Sequence, residues 1–134
     1  MSDCLFCKII KGKIPNYTVY EDENTLAFLD INPHAKGHTV VIPKKHFTDL
    51  SEMSDVDWQN MAVALKNIQT KLQNILNPDG FNIGINDKEV AGQVVPHVHW
   101  HIFPRYEGDG GGSVHSVVPK LDGFDVKNIA KLFK

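Results

Sequence analysis

Residues Pro96–Tyr106 read PHVHWHIFPRY, and three of the chain's seven histidines stand here on alternate positions: His97, His99 and His101. Apolar Val98, Trp100 and Ile102 fill the gaps and follow on. On a strand, residues two apart share a face. The alternation therefore predicts three imidazoles pointing one way and Val98, Trp100 and Ile102 pointing the other, onto a helix.

The neighbouring segments supply both the strand's partners and that helix. Phe81, Ile83 and Ile85 alternate with Asn82, Gly84 and Asn86, again with strand period, and a loop from Asp87 to Pro96 leads to the histidines. Ahead of them, Ser54 and Asp57 resemble a capping box. Met61, Leu65, Ile68, Leu72 and Ile75 or Leu76 then recur at spacings of three and four. That is an amphipathic helix of about six turns, stopped at Asn77-Pro78-Asp79-Gly80. Tyr17 to Glu21, Thr25 to Asp30 and His38 to Pro43 read as three more strands, with Leu26, Phe28 and Asp30 sharing a face. Asp3 caps a short helix from about Cys4 to Lys11, which Gly12 ends. Beyond Gly108–Gly112, a flexible break, residues 113–124 follow no pattern, and Asp125 caps a last short helix through Leu132. Strand pairs joined by short turns favour an antiparallel sheet. The expected class is α+β, with the long helix on one face and short helices near the N- and C-termini. The other face carries imidazoles, amides and a carboxylate, where a concave site can form.

A chain of 134 residues has the size of one domain, and 42% hydrophobic content suffices for a single core without disulfides. A net charge of −2 gives no basic excess, so nucleic acid is not the expected partner. The first residues open no apolar run, so neither a signal peptide nor a membrane span is expected and a cytoplasmic location is the default. No carboxylate cluster calls for obligatory magnesium.

Three readings of the histidines compete. The first is purely structural, as surface or hydrogen-bonded core residues. The second is a metal centre, but His97 and His101 lie about 13 Å apart along a strand at about 3.3 Å per residue. Bonds of about 2 Å cannot gather all three on one ion, although one could help ligate an ion nearby. The third is nucleophilic catalysis. Neutral imidazole is a good nucleophile at pH 7 when a hydrogen bond from its other nitrogen to a carbonyl fixes the tautomer. The central ring is the natural nucleophile, because its neighbours orient it.

His97-Val98-His99-Trp100-His101-Ile102-Phe103 resembles the signature of the histidine-triad (HIT) family, His-φ-His-φ-His-φ-φ with φ apolar. The resemblance extends to Asp3–Ile10, Leu26–Ile31, Gly37–His46, Asn86 and Ala91-Gly92-Gln93. It covers roughly residues 3–106 of a single domain, leaving a Gly-rich loop and tail at 107–134. It implies nucleotide hydrolase or nucleotidyl transferase chemistry at the α-phosphate of a purine nucleoside phosphoramidate or dinucleoside polyphosphate, in a homodimer. His99 would be the nucleophile, with His97 and His101 beside it as the other catalytic histidines. His101, Gln93 and Asn86 would contact phosphate, and backbone N–H groups after Gly92 would add stabilisation. Asp30 would accept from the ribose hydroxyls; Leu5, Phe6, Ile9, Phe28 and Ile31 would line the base slot. The residue after the glutamine is Val94, where many members carry a hydroxyl that can donate a proton. The alternative is a catalytically weak nucleotide- or zinc-binding dimeric module.

Cys4 and Cys7 are three apart at a helix start, so both sulfurs can face one way. Free thiols, a redox pair or two ligands of a metal are the readings open to the pair. The resemblance to a subset of the family implies one structural zinc per chain on Cys4, Cys7, His46 and His97. His34, His38 and His115 are assigned structural or surface roles, with His38 orienting the strand that carries His46. Arg105 can reach a second phosphate or pair with an acid.

Overall fold

A computed structural model describes residues 3–134. The chain runs α1 (Leu5–Ile10), β1 (Thr18–Glu21), β2 (Thr25–Leu29), β3 (Thr39–Pro43), α2 (Asp55–Leu76), β4 (Gly80–Ile85), β5 (Trp100–Arg105) and α3 (Val126–Ala130), with short 3₁₀ turns between and after them. The five strands form one sheet in the order β1-β2-β3-β5-β4, every neighbouring pair antiparallel. The α+β expectation holds, and α2 is the crossover that carries the chain past β5 to the far edge. No helix among the described residues is long and apolar enough to cross a membrane.

Ser54 caps α2 with the expected reciprocal bonds to Asp57. Met61, Ala64, Ile68 and Leu72 are buried on α2, with Leu65 and Leu76 partly so, while Ile75 is exposed. They meet Ala27, Val41, Val98, Trp100 and Ile102 from the sheet, so the apolar half of the histidine segment faces the long helix as predicted. A second apolar cluster lies around α1: Cys4, Phe6 and Ile9 against Leu26, Phe28, Val40 and Ile42.

Two local expectations change. Cys4, not Asp3, caps α1, its sulfur accepting from the Cys7 N–H. The strand also begins at Trp100 rather than His97. In the β3–β5 register Val41 faces Trp100, so two positions further on Pro43 would stand against Val98. Proline has no N–H to give the ladder. Val98 donates instead to the Phe47 carbonyl at 2.8 Å, and His97 and His99 sit in an extended lead-in. The three rings still lie on one side, toward Phe6 and away from α2.

The turn before β3 depends on Gly37, whose φ of +89° favours glycine. A Cβ there would overlap the Leu76 side chain and press on Pro104. Gly37→Ala is expected to destabilise the fold by about 2 kcal/mol, read as a lowered urea midpoint at unchanged slope. An unchanged midpoint would refute the clash.

Residues 107–134 are exposed throughout, with Val117, Phe124, Leu132 and Phe133 presenting apolar side chains to solvent. The break at 108–112 begins in a tied turn. Asp109 takes two bonds from the Arg105 guanidinium, at 2.7 and 2.8 Å, and accepts from the N–H groups of Tyr106 and Gly111. Arg105 also donates to Asn82 Oδ1 at 2.6 Å, so of its two expected roles the structure displays the pairing with an acid.

Candidate functional site

His99 is 7% exposed, edge-on to Phe6 at 5.1 Å between ring centroids and to His101 at 5.2 Å. Its Nδ1 lies 2.8 Å from the His97 carbonyl. A carbonyl only accepts, so Nδ1 carries the hydrogen and Nε2 keeps its lone pair. Among the described residues Nε2 has no partner, yet no buried side-chain nitrogen or oxygen is unsatisfied, so this atom opens to solvent. Burial also lowers the His99 pKa, outweighing the opposing hydrogen bond to His97, so the ring stays neutral near pH 7. The central imidazole thus meets the requirements of a nucleophile: neutral, single-tautomer and unblocked.

His101 continues the same face from β5. Its Nδ1 is 2.9 Å from Nε2 of His38, and its ring stacks on Phe103. Asp30 Oδ2 lies 3.6 Å from the same His38 nitrogen, while Asp30 Oδ1 accepts from the N–H of Asn32. That Asx turn bends the chain just after β2, so the strand alternation ends before Ile31, which is 78% exposed. Phe6, Ile9 and Phe28 are buried together and Leu5 is exposed. Phe6 and Phe28 meet edge-on at 5.7 Å, so two of the expected slot residues pack on each other.

The segment before the triad is arranged differently from a row of side chains aimed at phosphate. The Gln93 amide is spent on the backbone: Oε1 accepts from Lys88 N–H at 2.7 Å, and Nε2 donates to the carbonyls of Thr48 and Val95. It holds the loop rather than facing His99. Gly92, at φ +99°, ends a 3₁₀ turn with the Asn86 side chain 3.6 Å from where its Cβ would stand. Val94 is 88% exposed beside it. Gly92, Gln93 and Val94 line a surface groove with Thr48, Lys88 and Pro96.

His97 turns to a separate cluster. Its Nε2 lies 2.9 Å from the Pro43 carbonyl, so the hydrogen sits there and Nδ1 is bare. That Nδ1 is 3.4 Å from Cys4 Sγ, 3.6 Å from Cys7 Sγ and 3.1 Å from His46 Nδ1, and His46 Nδ1 is 3.3 Å from Cys7 Sγ. A tetrahedral ion with bonds of ~2.3 Å to sulfur and ~2.0–2.1 Å to nitrogen would set S···N edges of ~3.6 Å and N···N edges of ~3.3 Å. The four donors are therefore spaced to hold one ion, and the carbonyl behind His97 is the usual support of a ligating imidazole. Both cysteines are free thiols. Burial raises the Cys7 pKa and lowers that of His97 to about 4, as expected for donors gathered out of water.

Burial likewise lowers the His101 pKa to about 4, with His99 and His38 adding to the effect and Asp30 opposing it; His34 adds a smaller depression. The His38 pKa is lowered too, first by burial. In the unfolded chain both rings titrate near 6.5, so below that pH the unfolded state binds more protons. The stability these neutral rings contribute is whole above about pH 6.5 and is lost as the pH falls toward 4. Urea midpoints are expected to drop steadily between about pH 7 and 4.5, and His101→Gln to flatten that slope. A slope unchanged by the substitution would assign the acid lability elsewhere.

Sequence reasoning missed His38 as a neighbour of His101. It stands two positions before Val40, the partner of His101, so the strand register puts it opposite Phe103 and diagonal to His101. A paired alignment of the two strands was the signal that could have found it.

Comparison with known proteins agrees with this geometry. The HIT domain model matches residues 11–108. A HIT-like protein of Methanocaldococcus jannaschii is 56% identical over 107 residues, 80% of this chain and 82% of that protein. An adenosine 5'-monophosphoramidase of Schizosaccharomyces pombe is 41% identical over 102 residues, covering 76% and 74%. The crystal structure of a HIT family member from Bacillus subtilis superposes with a TM-score of 0.82 at 44% identity, covering 98% of this chain and 94% of that one. A Zn-bound histidine triad family protein from Mycobacterium smegmatis gives 0.77 at 43% identity, covering 81% and 79%. With its three histidines on one side of β5 and its extended lead-in and these relatives matched over most of their length, the chain belongs to the HIT domain family.

Proposed function

We propose that the protein is a nucleotide hydrolase or nucleotidyl transferase acting at the α-phosphate of a purine nucleoside phosphoramidate or dinucleoside polyphosphate. The observation that carries this reading is the His99 ring: Nδ1 held by the His97 carbonyl and Nε2 unblocked. The Nε2 lone pair attacks phosphorus, forming a P–N bond as the bond to the leaving group breaks, and that group departs with the electron pair and a proton taken from solvent water. Water then attacks the phosphorus, the P–N bond breaks with its electron pair returning to Nε2 of neutral His99, the surplus proton of the water passes to solvent, and a nucleoside monophosphate leaves. Splitting the displacement this way replaces one hard step by two easier ones.

The remaining roles belong to the same proposal. Asp30 accepts from the ribose hydroxyls through its carboxylate. His101, Asn86 and Gln93, with the N–H groups after Gly92, surround the phosphate; because the Gln93 amide is tied to the loop, its part is to shape that loop. Leu5, Phe6, Ile9, Phe28 and Ile31 form the base slot, with exposed Leu5 and Ile31 at its rim. Zinc is the ion assigned to Cys4, Cys7, His46 and His97, a donor set of two thiolates and two imidazoles that suits it, and the ion would pin α1 to the start of the catalytic segment.

The domain is read as one unit with its core at about 3–106. It is cytoplasmic, a reducing compartment that keeps the two cysteines available to the ion. It is a homodimer: β4 has an unpaired edge and the tail exposes apolar side chains that a second copy would cover. Light scattering is expected to give twice the chain mass of 15.0 kDa, and a monomer mass would overturn this part.

The test of function is incubation with adenosine phosphoramidate or a dinucleoside polyphosphate without added magnesium. The expected result is release of the monophosphate over many turnovers. Tight binding with no product would instead support the weakly catalytic nucleotide-binding module.

A further inference from the structure

His38 is 2% exposed and has no place in the proposed reaction, yet its two ring nitrogens face three polar groups. The backbone N–H of His34 points at Nδ1 from 3.2 Å. A backbone N–H can only donate, so Nδ1 of His38 is the acceptor and the hydrogen of the neutral ring sits on Nε2. That Nε2 is 2.9 Å from Nδ1 of His101, and the Asp30 carboxylate at 3.6 Å also favours a hydrogen at this position. Nδ1 of His101 must then accept. In a neutral ring this leaves the hydrogen of His101 on Nε2, an atom with no partner among the described residues.

We propose that His38 is a positioning residue that sets the tautomer of His101, so that His99 and His101 present opposite atoms to one phosphoryl group: a lone pair at Nε2 of His99 and an N–H at Nε2 of His101. The two tautomers have independent origins. His99 is set by an acceptor, the His97 carbonyl, within its own segment. His101 is set by a donor, His38, from the neighbouring part of the chain, which is in turn set by the His34 amide. A neutral N–H aimed at a phosphate oxygen stabilises charge that develops during attack without reorganising at that moment. With the opposite tautomer, His101 would turn a lone pair toward an anion and repel it. Phe103 packs against both rings, with its centroid 4.2 Å from that of His38 and 5.7 Å from that of His101. The catalytic consequence rests on the proposed nucleotidyl chemistry; the tautomers themselves do not.

The experiment uses the full-length protein labelled with ¹⁵N-histidine, near neutral pH, and long-range ¹H–¹⁵N correlation to read the tautomer of each ring. His38 and His101 are expected as Nε2–H and His99 as Nδ1–H. In His38→Leu, His101 becomes a mixture of tautomers while His99 is unchanged. In His38→Gln, the amide N–H₂ donates in place of the imidazole and His101 remains Nε2–H. With adenosine phosphoramidate, His38→Leu is expected to lose roughly 100-fold in kcat with KM altered only a few-fold, and His38→Gln to recover most of it. An Nδ1–H tautomer for His101 in the wild type overturns the proposal, and this readout needs no variant to fold. An unchanged Nε2–H tautomer in His38→Leu overturns the role of His38. The expected tautomers in a wild-type protein with no turnover would support the relay and count against the nucleotidyl reading alone.

Discussion

His99→Ala and His99→Gly are expected to lower kcat/KM for a nucleoside phosphoramidate by at least ~10⁴-fold, with nucleotide affinity kept within a few-fold. The size follows from removing the atom that forms the covalent bond, which leaves only binding and electrostatics to act on the direct attack of water. Affinity is expected to survive because the proposed ribose and base partners, Asp30 and the apolar residues beside it, lie on β2, its exit turn and α1, and the substitution leaves them in place. A rapid quench followed by intact-mass measurement separates the steps. Wild type is expected to carry a nucleotidyl adduct during turnover, and neither variant any adduct. Turnover in His99→Ala within about tenfold of wild type would end the nucleophile assignment. It would turn attention to a water activated elsewhere on the histidine face.

The second large effect is on the metal cluster. Zinc analysis of the purified protein is expected to give one ion per chain, and Cys4→Ala with Cys7→Ala to give none. An ion that binds only the folded state at 100 to 1,000 times its dissociation constant contributes ~2.7–4.1 kcal/mol. For a domain of this size that corresponds to a fall in Tm of roughly 10 °C. The same loss is expected when a strong chelator is added to wild type, whereas the chelator should leave the double variant unmoved. The link to activity is mechanical. His97 carries both the carbonyl that fixes His99 and the Nδ1 that faces the cysteines, so releasing the cluster loosens the backbone that sets the nucleophile's tautomer. Activity is therefore expected to fall with the metal, though by less than in His99→Ala. A protein that binds no zinc yet shows full stability would overturn the assignment of the cluster.

Most of the scaffold was legible because it rests on periodicity. The stripe Met61, Leu65, Ile68, Leu72 marks one face of α2, and the alternation through Val98, Trp100 and Ile102 marks the strand face that meets it. Ser54 and Asp57 closed their box as written. The exceptions have local causes. Cys4 displaced Asp3 as cap because its sulfur stands over the first turn, where it meets the Cys7 N–H. The strand lost its first residues because the opposing position on β3 is Pro43, a fact that belongs to two segments at once.

The same division runs through the site. Three imidazoles at period two, two thiols at helical spacing and a carboxylate at the end of β2 were written in the chain, and with the family resemblance they suffice to propose the chemistry. Which nitrogen of each ring holds its hydrogen was not. His97 is set by Pro43, His99 by a carbonyl, and His101 by His38, which lies 63 residues away in the chain. Periodicity is a property of one segment and survives in a single sequence. A tautomer is decided by what faces the ring across the sheet, and strand register exists only once the chain has folded.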